Sequence, residues 1–434
     1  MNSKTVAFHH FGCKVNFAEA SALSRQFKEK GFELADFHDQ ADIYVISTCI
    51  VTAVAEKKCR AAIRQAHKLN PSAKIAVIGC FSELKPGELM NMEGVDLVLG
   101  HEGKFNLLEE LEKLSQHHPY HGGIPDVEKP VKAGFIPSFS YGDRTRSFLK
   151  IQDGCDYYCT YCTIPLARGR SRSDTIAHVV SSAREIAANG TKEIILTGVN
   201  IGDFGRHNNE TFLDLLKALE LTEVVNRIRI SSIEPDLLTD EIIEFVAKST
   251  KILPHFHIPL QSGNNKTLWA MHRKYNRELY AGRVSKIKTL MPDACVAADV
   301  IVGFPGENPV DFDDTFHFLN NLEVSYMHVF TYSKRDNTLA AKMNEPVSET
   351  EKKRRSIALH QLSEQKKRAF YEQNAGKEAK VLFESDNSHG FMHGYTENYI
   401  KVTTPYQQEL VNHIVPVTLT QTDAEGSFMV TPGT

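Results

Sequence analysis

Three cysteines stand within eight consecutive positions, as Cys155-Asp-Tyr-Tyr-Cys159-Thr-Tyr-Cys162. In a reducing compartment, cysteines this crowded serve as metal ligands rather than disulfides. Three thiolates on one tight loop can hold three irons of a 4Fe–4S cubane and leave the fourth iron without a protein ligand. An open iron of that kind can bind the amino and carboxylate groups of S-adenosylmethionine and pass an electron into its sulfonium. Two other readings of the spacing are a zinc knuckle lacking its fourth ligand and an ordinary electron-transfer cluster. Either would want a fourth Cys or His close by, and the next histidine, His178, falls inside an expected helix.

A second set of cysteines is spread out. Cys13, Cys49 and Cys80 are separated by 35 and 30 residues. Thr5–His10, Asp42–Ser47, Lys74–Gly79 and Asp96–Leu99 read as buried strands, with helices expected over Phe17–Lys30 and from about Val54 to Leu69. Apolar β-branched runs between helices indicate a doubly wound parallel sheet. Cys13 follows the first strand, Cys49 the second and Cys80 the third. Ligands of open α/β sheets bind at the carboxyl ends of the strands, so these thiols are expected to converge. Cys59, on a helix, and Cys295, at the start of a strand, read as packing residues.

The elements that must position these groups divide a 434-residue chain, which is too long for one core. Residues 1–112 form the first expected domain and 113–140 a breaker-rich linker. A central α/β region, 141–372, carries strands at Ser147–Gln152, Glu193–Thr197, Arg227–Ser232, His255–Leu260, Val296–Val302 and Tyr326–Tyr332. Helices fall between them, such as Thr175–Ala188 and Asn276–Leu290. Six such units predict a partial (β/α)6 barrel with its site on the loops after the strands. A basic helix, Glu349–Gln373, leads into a small all-β module, 373–434. No apolar run approaches the ~18 residues of a membrane span, and no signal-peptide pattern opens the chain, so a cytoplasmic protein is expected. Net charge is −4, so any nucleic-acid contact must use local basic patches.

The three-Cys loop, with an aromatic (Tyr161) before its last cysteine, resembles the radical S-adenosylmethionine superfamily. Gly198-Val199-Asn200 occupies the place where that superfamily often carries Gly-Gly-Glu for the cofactor's amino group; Asn200 departs from the pattern. Ser231-Ser232-Ile233-Glu234 stands at the level of ribose contacts, and Val302-Gly303-Phe304-Pro305-Gly306-Glu307 resembles the stretch packed along the adenine. The resemblance thus implies cofactor contacts at Tyr161, Gly198, Asn200, Ser232, Glu234, Val302 and Gly303. A narrower likeness covers nearly the whole chain. Gly12-Cys13-Lys14-Val15-Asn16, Thr48-Cys49, Gly79-Cys80, the three-Cys loop and the terminal module are similar to the methylthiotransferases. In that family the N-terminal trio holds a second 4Fe–4S cluster, and the terminal module is a TRAM domain.

Among the branches, GCKVN, IQDGCDYYCTYCTIPLARGRSRS, LTGVNIGDFG and SSIEP resemble the one acting on N6-threonylcarbamoyladenosine beside the tRNA anticodon. The isopentenyladenosine branch and the ribosomal-protein branch are the neighbouring alternatives; an iron–sulfur RNA-binding protein without turnover is the alternative from another class. The resemblance implies two S-adenosylmethionine molecules per turnover, a flavodoxin- or ferredoxin-type electron donor, a sulfur source and tRNA as partner, with no membrane. For tRNA, Arg168, Arg170 and Arg172 are expected on the rim beside the catalytic loop, because arginine forks suit phosphates. Seven basic residues between 351 and 368 are a further candidate patch. The terminal module has three basic residues, Lys377, Lys380 and Lys401, against seven acidic ones. RNA contact there would rest on stacking, for instance by Phe391, Tyr395, Tyr399 or Tyr406.

Overall fold

The computed structural model describes residues 4–116, 134–142, 144–422 and 426–431, so much of the expected 113–140 linker lies outside the described residues. Two compact units emerge. One comprises Met1–Ser140 with Asp153–Asp156 and Cys162–Arg172; the other comprises Tyr141–Gln152 with Tyr157–Tyr161 and Ser173–Thr434.

The first unit runs β1 (Thr5–His10), α1 (Lys14–Glu29), β2 (Glu33–Ala35), β3 (Ile43–Thr48), α2 (Ala53–Leu69), β4 (Lys74–Gly79), α3 (Cys80–Leu84), α4 (Pro86–Met90), β5 (Val95–Leu99) and α5 (Leu107–Gln116). Its strands form a sheet of order β2-β1-β3-β4-β5 with parallel pairing throughout. Every residue of β3 is buried, as a strand covered on both faces requires. Tyr44, Ile46, Ile63, Val77 and Phe81 fill one face, and Val6, Phe27, Val45, Leu99 and Leu111 the other. In this order the chain steps one way from β1 to β2 and the other way from β3 onward. The crevice between β1 and β3 is therefore the switch point, where open sheets bind ligands. The strand β6 (Ser138–Phe139) lies along α1, where Arg25 Nη2 donates to the Phe139 carbonyl at 2.7 Å. The short helix α6 (Ile164–Arg168) buries Ala167 in the same core as Phe81.

The second unit contains β7 (Arg146–Lys150), α7 (Ile176–Ala188), β10 (Glu193–Thr197), α8 (Phe212–Leu221), β11 (Arg227–Ile230), α9 (Asp240–Lys248), β12 (His255–Gln261), α10 (Asn265–Ala270), α11 (Arg277–Leu290), β13 (Cys295–Val302), α12 (Pro309–Asn321), β14 (Tyr326–Thr331) and α13 (Glu349–Asn374). Two-residue strands β8 (Gln152–Asp153) and β9 (Arg172–Ser173) flank the three-Cys loop. The strands β7, β10 and β11 pair in parallel, as do β12, β13 and β14. Between β11 and β12 only the bridges Ile228–Ile252 and Ser232–His257 join the two sets, so the six strands follow one another in chain order. Each helix from α7 to α13 starts at a Thr, Asn or Ser whose side chain accepts an N–H from the first turn. These caps fix where each helix begins, and hence the length of the loop after each strand.

The terminal sheet comprises β15 (Glu378–Phe383), β16 (Phe391–Tyr395), β17 (Lys401–Pro405), β18 (Ile414–Thr418), β19 (Gln421–Thr422) and β20 (Phe428–Met429), in the order β18-β15-β16-β17-β20-β19. Val381, Phe383, Met392, Val402 and Phe428 form its core with Phe370 and Tyr371 of α13 and with Cys295. Tyr395 and Tyr399 stack at 4.8 Å, and Arg229 and His255 cover Tyr399. Both tyrosines are thus occupied in packing, and Tyr406 borders the module's core. Of the four candidate stacking residues, Phe391 is the exposed one, at 39%.

A buried ion cluster ties this sheet to β11. Arg227 and Arg229 both donate to Glu193, and their remaining N–H groups donate to the carbonyls of Lys380, Tyr395, Thr396 and Glu397. Burial alone would raise the Glu193 carboxyl, but the Arg229 and Arg227 charges overcome it and hold the pKa at about 2. A carboxyl depressed on folding stabilises fully above its unfolded pKa, and that contribution is lost as pH falls toward the folded one. Wild-type stability should therefore drop between roughly pH 5 and pH 2 by more than that of Glu193→Gln. The variant, with two buried arginines left uncompensated, should be less stable at pH 7 by about 3–5 kcal/mol. Urea unfolding of both proteins across this range checks both statements.

Candidate functional site

At the switch point of the first unit the backbone makes room for thiols. Gly12 has φ +97°, and a Cβ there would lie 2.9 Å from Cys49 Cβ and 3.0 Å from its sulfur. Cys13 caps α1 in an extended conformation. Three residues on, Asn16 Nδ2 donates to the carbonyls of Phe11 (2.9 Å) and Thr48 (3.0 Å), sewing the end of β1 to that of β3. Gly79, φ +105°, packs against the Thr48 backbone and lets Cys80 open α3. Burial pushes the Cys49 thiol up to about 12, and Cys80, Cys13 and Cys59 press it the same way. Cys80 is also raised by burial, which outweighs the pull of Arg168 and Lys104. Cys13, Cys49 and Cys80 thus converge electrostatically as well as in topology. A set of three soft sulfur donors suits iron–sulfur ligation, and binding there would displace the thiol protons.

Around Cys80 lies a buried charge network. Arg168 is 1% exposed. Its Nη1 donates to Asp153 Oδ1 at 2.9 Å, and its Nη2 to Asn16 Oδ1 at 2.5 Å and Glu19 Oε2 at 3.1 Å. Lys104 Nζ also donates to Glu19, at 2.6 Å. Burial and Lys104 lower His101 to about 4, so its ring is neutral and its Nε2 accepts from Arg172. Glu19, His101 and Asp153 have ligand atoms within 4.8 Å of one another, but the guanidinium and ammonium groups already neutralise them. Asp153 accepts the Gly154 N–H, and the Cys155 N–H donates to the Gly169 carbonyl at 3.1 Å. A Cβ on Gly154 (φ +70°) would sit 2.0 Å from the Arg170 carbonyl oxygen, so only glycine fits before Cys155.

The expectation that Arg168 sits on an exposed rim is corrected here. Its guanidinium is wholly engaged in holding α1 and Asp153, which removes it from the surface. Arg172 is largely committed too, donating to the carbonyls of Arg168 and Arg170. Arg170 is 79% exposed and is the one of the three open to solvent. The basic helix is likewise partly internal. Lys352 packs on Gly303, Arg355 donates to Glu307, and Lys366 donates to the carbonyls of Asn320 and Leu322.

In the second unit the expected cofactor residues lie at the carboxyl ends of successive strands. Gln152 Oε1 accepts the N–H groups of Val199 (3.0 Å) and Asn200 (2.7 Å), and Gly198 has no room for a Cβ against Gln152. The Asn200 amide is buried with no partner for either side-chain atom. Among the described residues, Asp203 Oδ2, Ser231 Oγ, Glu307 Oε1 and Tyr332 Oη are buried without partners as well. The Ser232 hydroxyl bonds His257 Nδ1 at 2.6 Å, and His257 Nε2 bonds Asp299 Oδ1 at 2.8 Å. His257, Asp299 and His328 place ligand atoms within 4.8 Å of one another, but both His257 nitrogens are engaged, as in a hydrogen-bonded relay. Gly303 (φ +76°) donates its N–H to Glu307 Oε2 at 2.6 Å, and Arg355 holds that carboxylate from the other side. The side chain of Val302 is fully buried. Glu234 is not free: it pairs with Arg273, which also reaches Cys159.

Sequence reading missed Gln152, Arg273 and the His257–Asp299 relay. Polar residues at alternate positions of apolar strands (HFHIPLQ, CVAADVIV) were the available signal for the relay; Arg273 lies in a loop with no such pattern.

Residues 149–319 match the radical SAM superfamily, and residues 5–100 match a family described as "Uncharacterized protein family UPF0004". The fold thus carries a radical SAM core. A threonylcarbamoyladenosine tRNA methylthiotransferase from Bacillus subtilis is 40% identical, covering 95% of this chain and 93% of that one. The protein of the same name from Aquifex aeolicus is 37% identical over 92% and 96%. A tRNA-2-methylthio-N(6)-dimethylallyladenosine synthase from Desulfitobacterium hafniense is 31% identical over 95% and 94%. Among solved structures, the radical S-adenosylmethionine methyltransferase TsrM from Kitasatospora setae superposes with a TM-score of 0.57 at 14% identity, covering 90% of this chain and 77% of that one. The chain belongs to the radical S-adenosylmethionine methylthiotransferase family, in its threonylcarbamoyladenosine tRNA branch.

Replacing Arg168 by Met should strand Glu19 and Asp153 without their guanidinium and destabilise the protein by about 3–5 kcal/mol. Arg170→Ala should stay within about 0.5 kcal/mol of wild type. Urea unfolding followed by tyrosine fluorescence separates the two; equal midpoints would show that the network does not hold the loop.

Proposed function

We propose that this chain methylthiolates carbon 2 of N6-threonylcarbamoyladenosine, next to the tRNA anticodon, giving the 2-methylthio derivative. The observation that carries the reading is the pair of cysteine groups, each at strand carboxyl ends, in a chain 40% identical over 95% of its length to a relative of that name. Cys155, Cys159 and Cys162 hold one 4Fe–4S cluster and Cys13, Cys49 and Cys80 a second. Bound with S-adenosylmethionine, the first cluster supplies the one-electron chemistry able to take a hydrogen atom from the unactivated C2–H bond.

The protein's own residues prepare the site. We read the six parallel strands as a partial barrel whose strand-end loops receive the cofactor. Asn200 faces its amino acid portion, Ser232 its ribose, and the Val302-Gly303 backbone its adenine, while Tyr161, Gly198 and Glu234 shape the pocket. Buried atoms on Asn200, Ser231 and Tyr332 that lack partners within the chain support this, because a polar ligand would supply their hydrogen bonds. Phe304 and Met271 lie fully buried beside Tyr161, an apolar wall that limits water where a reactive radical is formed. Cys13, Cys49 and Cys80 would hold the group that carries the sulfur to be inserted, and a second S-adenosylmethionine would be the source of its methyl group.

Arg170 contacts tRNA phosphate, and Arg172 fixes the backbone that presents it. The terminal sheet is a TRAM-like module that adds RNA contacts through exposed groups such as Phe391. An external flavodoxin- or ferredoxin-type donor and a sulfur source complete the reaction, which belongs in the reducing cytoplasm.

Nucleoside mass spectrometry of tRNA from cells lacking this chain tests the substrate. The methylthio group should vanish from threonylcarbamoyladenosine while methylthio-isopentenyladenosine persists; the reverse pattern would overturn the substrate. In a second test, Asn200→Leu removes an unsatisfied buried amide worth about 1–3 kcal/mol. The ligand-free variant should melt higher than wild type yet bind S-adenosylmethionine at least about tenfold more weakly. Unchanged binding in equilibrium dialysis would remove Asn200 from the pocket.

A further inference from the structure

Arg273 sits in the loop after α10 with its side chain 3% exposed. Its Nη1 donates to the sulfur of Cys159 at 3.0 Å and lies 3.4 Å from the Tyr161 hydroxyl oxygen. Its Nη2 pairs with Glu234, and its Nε donates to Tyr275 Oη at 3.0 Å. One guanidinium therefore bridges a buried carboxylate and a thiol of the three-Cys loop.

Both sides of this contact are anchored. Tyr275 Oη reaches the carbonyls of Pro259 and Leu260, at 2.7 and 2.8 Å, which fixes the Arg273 side. On the cysteine side, the Thr160 N–H donates to the Met271 carbonyl at 3.2 Å and its hydroxyl to the Ala270 carbonyl at 3.0 Å. The Thr160 carbonyl in turn accepts the Ala340 N–H at 2.8 Å. Sulfur and guanidinium are thus held face to face, the thiol through the bonds of the adjacent Thr160 to backbone groups and the guanidinium through Tyr275 and Glu234. Nη1 makes its shorter contact with the Cys159 sulfur and a longer one with the Tyr161 hydroxyl, so the guanidinium serves sulfur as well as carboxylate.

We propose that Arg273 is a positioning residue for the cluster on the three-Cys loop: by donating to the Cys159 sulfur it raises that cluster's reduction potential, and Glu234 sets the size of the effect. This rests on the assignment of Cys159 as a cluster ligand made above. Reduction adds one electron, from the external low-potential donor, to an already anionic group, and no bond breaks. Part of the added charge resides on the ligand sulfurs, so a donor hydrogen-bonded there stabilises the reduced form more than the oxidised one. Glu234 offsets part of the guanidinium's charge and so limits the shift. Arginine suits the role because its fork serves carboxylate and sulfur at once.

The test uses the full-length chain carrying Cys13→Ala, Cys49→Ala and Cys80→Ala, so that one cluster is read, reconstituted anaerobically and titrated against potential by electron paramagnetic resonance. Arg273→Gln should reduce the reduced-to-oxidised ratio at a given potential about tenfold, equal to a midpoint about 59 mV lower for a one-electron couple. Arg273→Lys should shift the midpoint in the same direction by less, and Glu234→Gln in the opposite direction. If Arg273→Gln does not fold, the opposed signs of the other two variants decide. Midpoints equal to the parent's, or shifted the same way by Arg273→Lys and Glu234→Gln, would overturn the proposal. A parent chain that takes up far fewer than about four irons would instead overturn the cluster assignment and the proposal with it.

Discussion

Arg168 has been taken out of water entirely, and the loop before Cys155 is arranged around that fact. Removing a guanidinium from solvent costs several kcal/mol unless every N–H finds an acceptor. Asn16, Glu19 and Asp153 supply those acceptors, so α1 and the segment leading to the three-Cys loop are fixed by one ion. The same constraint recurs in the second unit. Arg355 anchors Glu307, which holds the Gly303 N–H. Arg273 anchors Glu234, and Arg227 with Arg229 anchors Glu193. In each case one arginine serves a carboxylate together with a second acceptor: a side-chain oxygen for Arg168, a thiol for Arg273, and backbone carbonyls for Arg227, Arg229 and Arg355. A lysine, with a single charge centre, could not serve two directions equally well.

Thiols impose a different demand, which is space at a strand end. Sulfur is large, and three thiols brought to one crevice leave little volume for neighbouring side chains. Gly12 and Gly79 meet this at the switch point, since a Cβ on either would strike Cys49 or the Thr48 backbone. Their positive φ values also turn the chain sharply enough that Cys13 caps α1 and Cys80 begins α3. Sheet order, glycine conformation and helix start together bring residues far apart in sequence into one crevice.

Much of this was legible beforehand because it is local. The strands β1, β4 and β10 fall on their sequence-predicted bounds, and α7 and α11 start one residue after their Thr and Asn caps. The burial of Arg168 was not legible. RGRSR reads as a solvated run, and only the insertion of Ala167 into the core turns Arg168 inward. Arg273 stands beside Lys274 in an unremarkable HRKY, and its partners lie 39 and 114 residues away. The edge strand β2, three residues long, was missed for the opposite reason, and in the terminal module the apolar pattern of β16 is interrupted by Gly394. That glycine is required, because a Cβ would come within 2.4 Å of Val381.

The partnerless atoms at the strand ends bear on what enters the second unit. A buried polar group without a partner costs about 1–3 kcal/mol, and folding normally removes such groups. Here Asn200 offers both a donor and an acceptor, while Ser231 and Tyr332 offer hydroxyls, the latter beside the apolar Phe304. An apolar ligand would leave these atoms unsatisfied, and a simple ion would satisfy only one sign of dipole. A ligand bearing amino and hydroxyl groups with a flat ring matches donors, acceptors and apolar wall together.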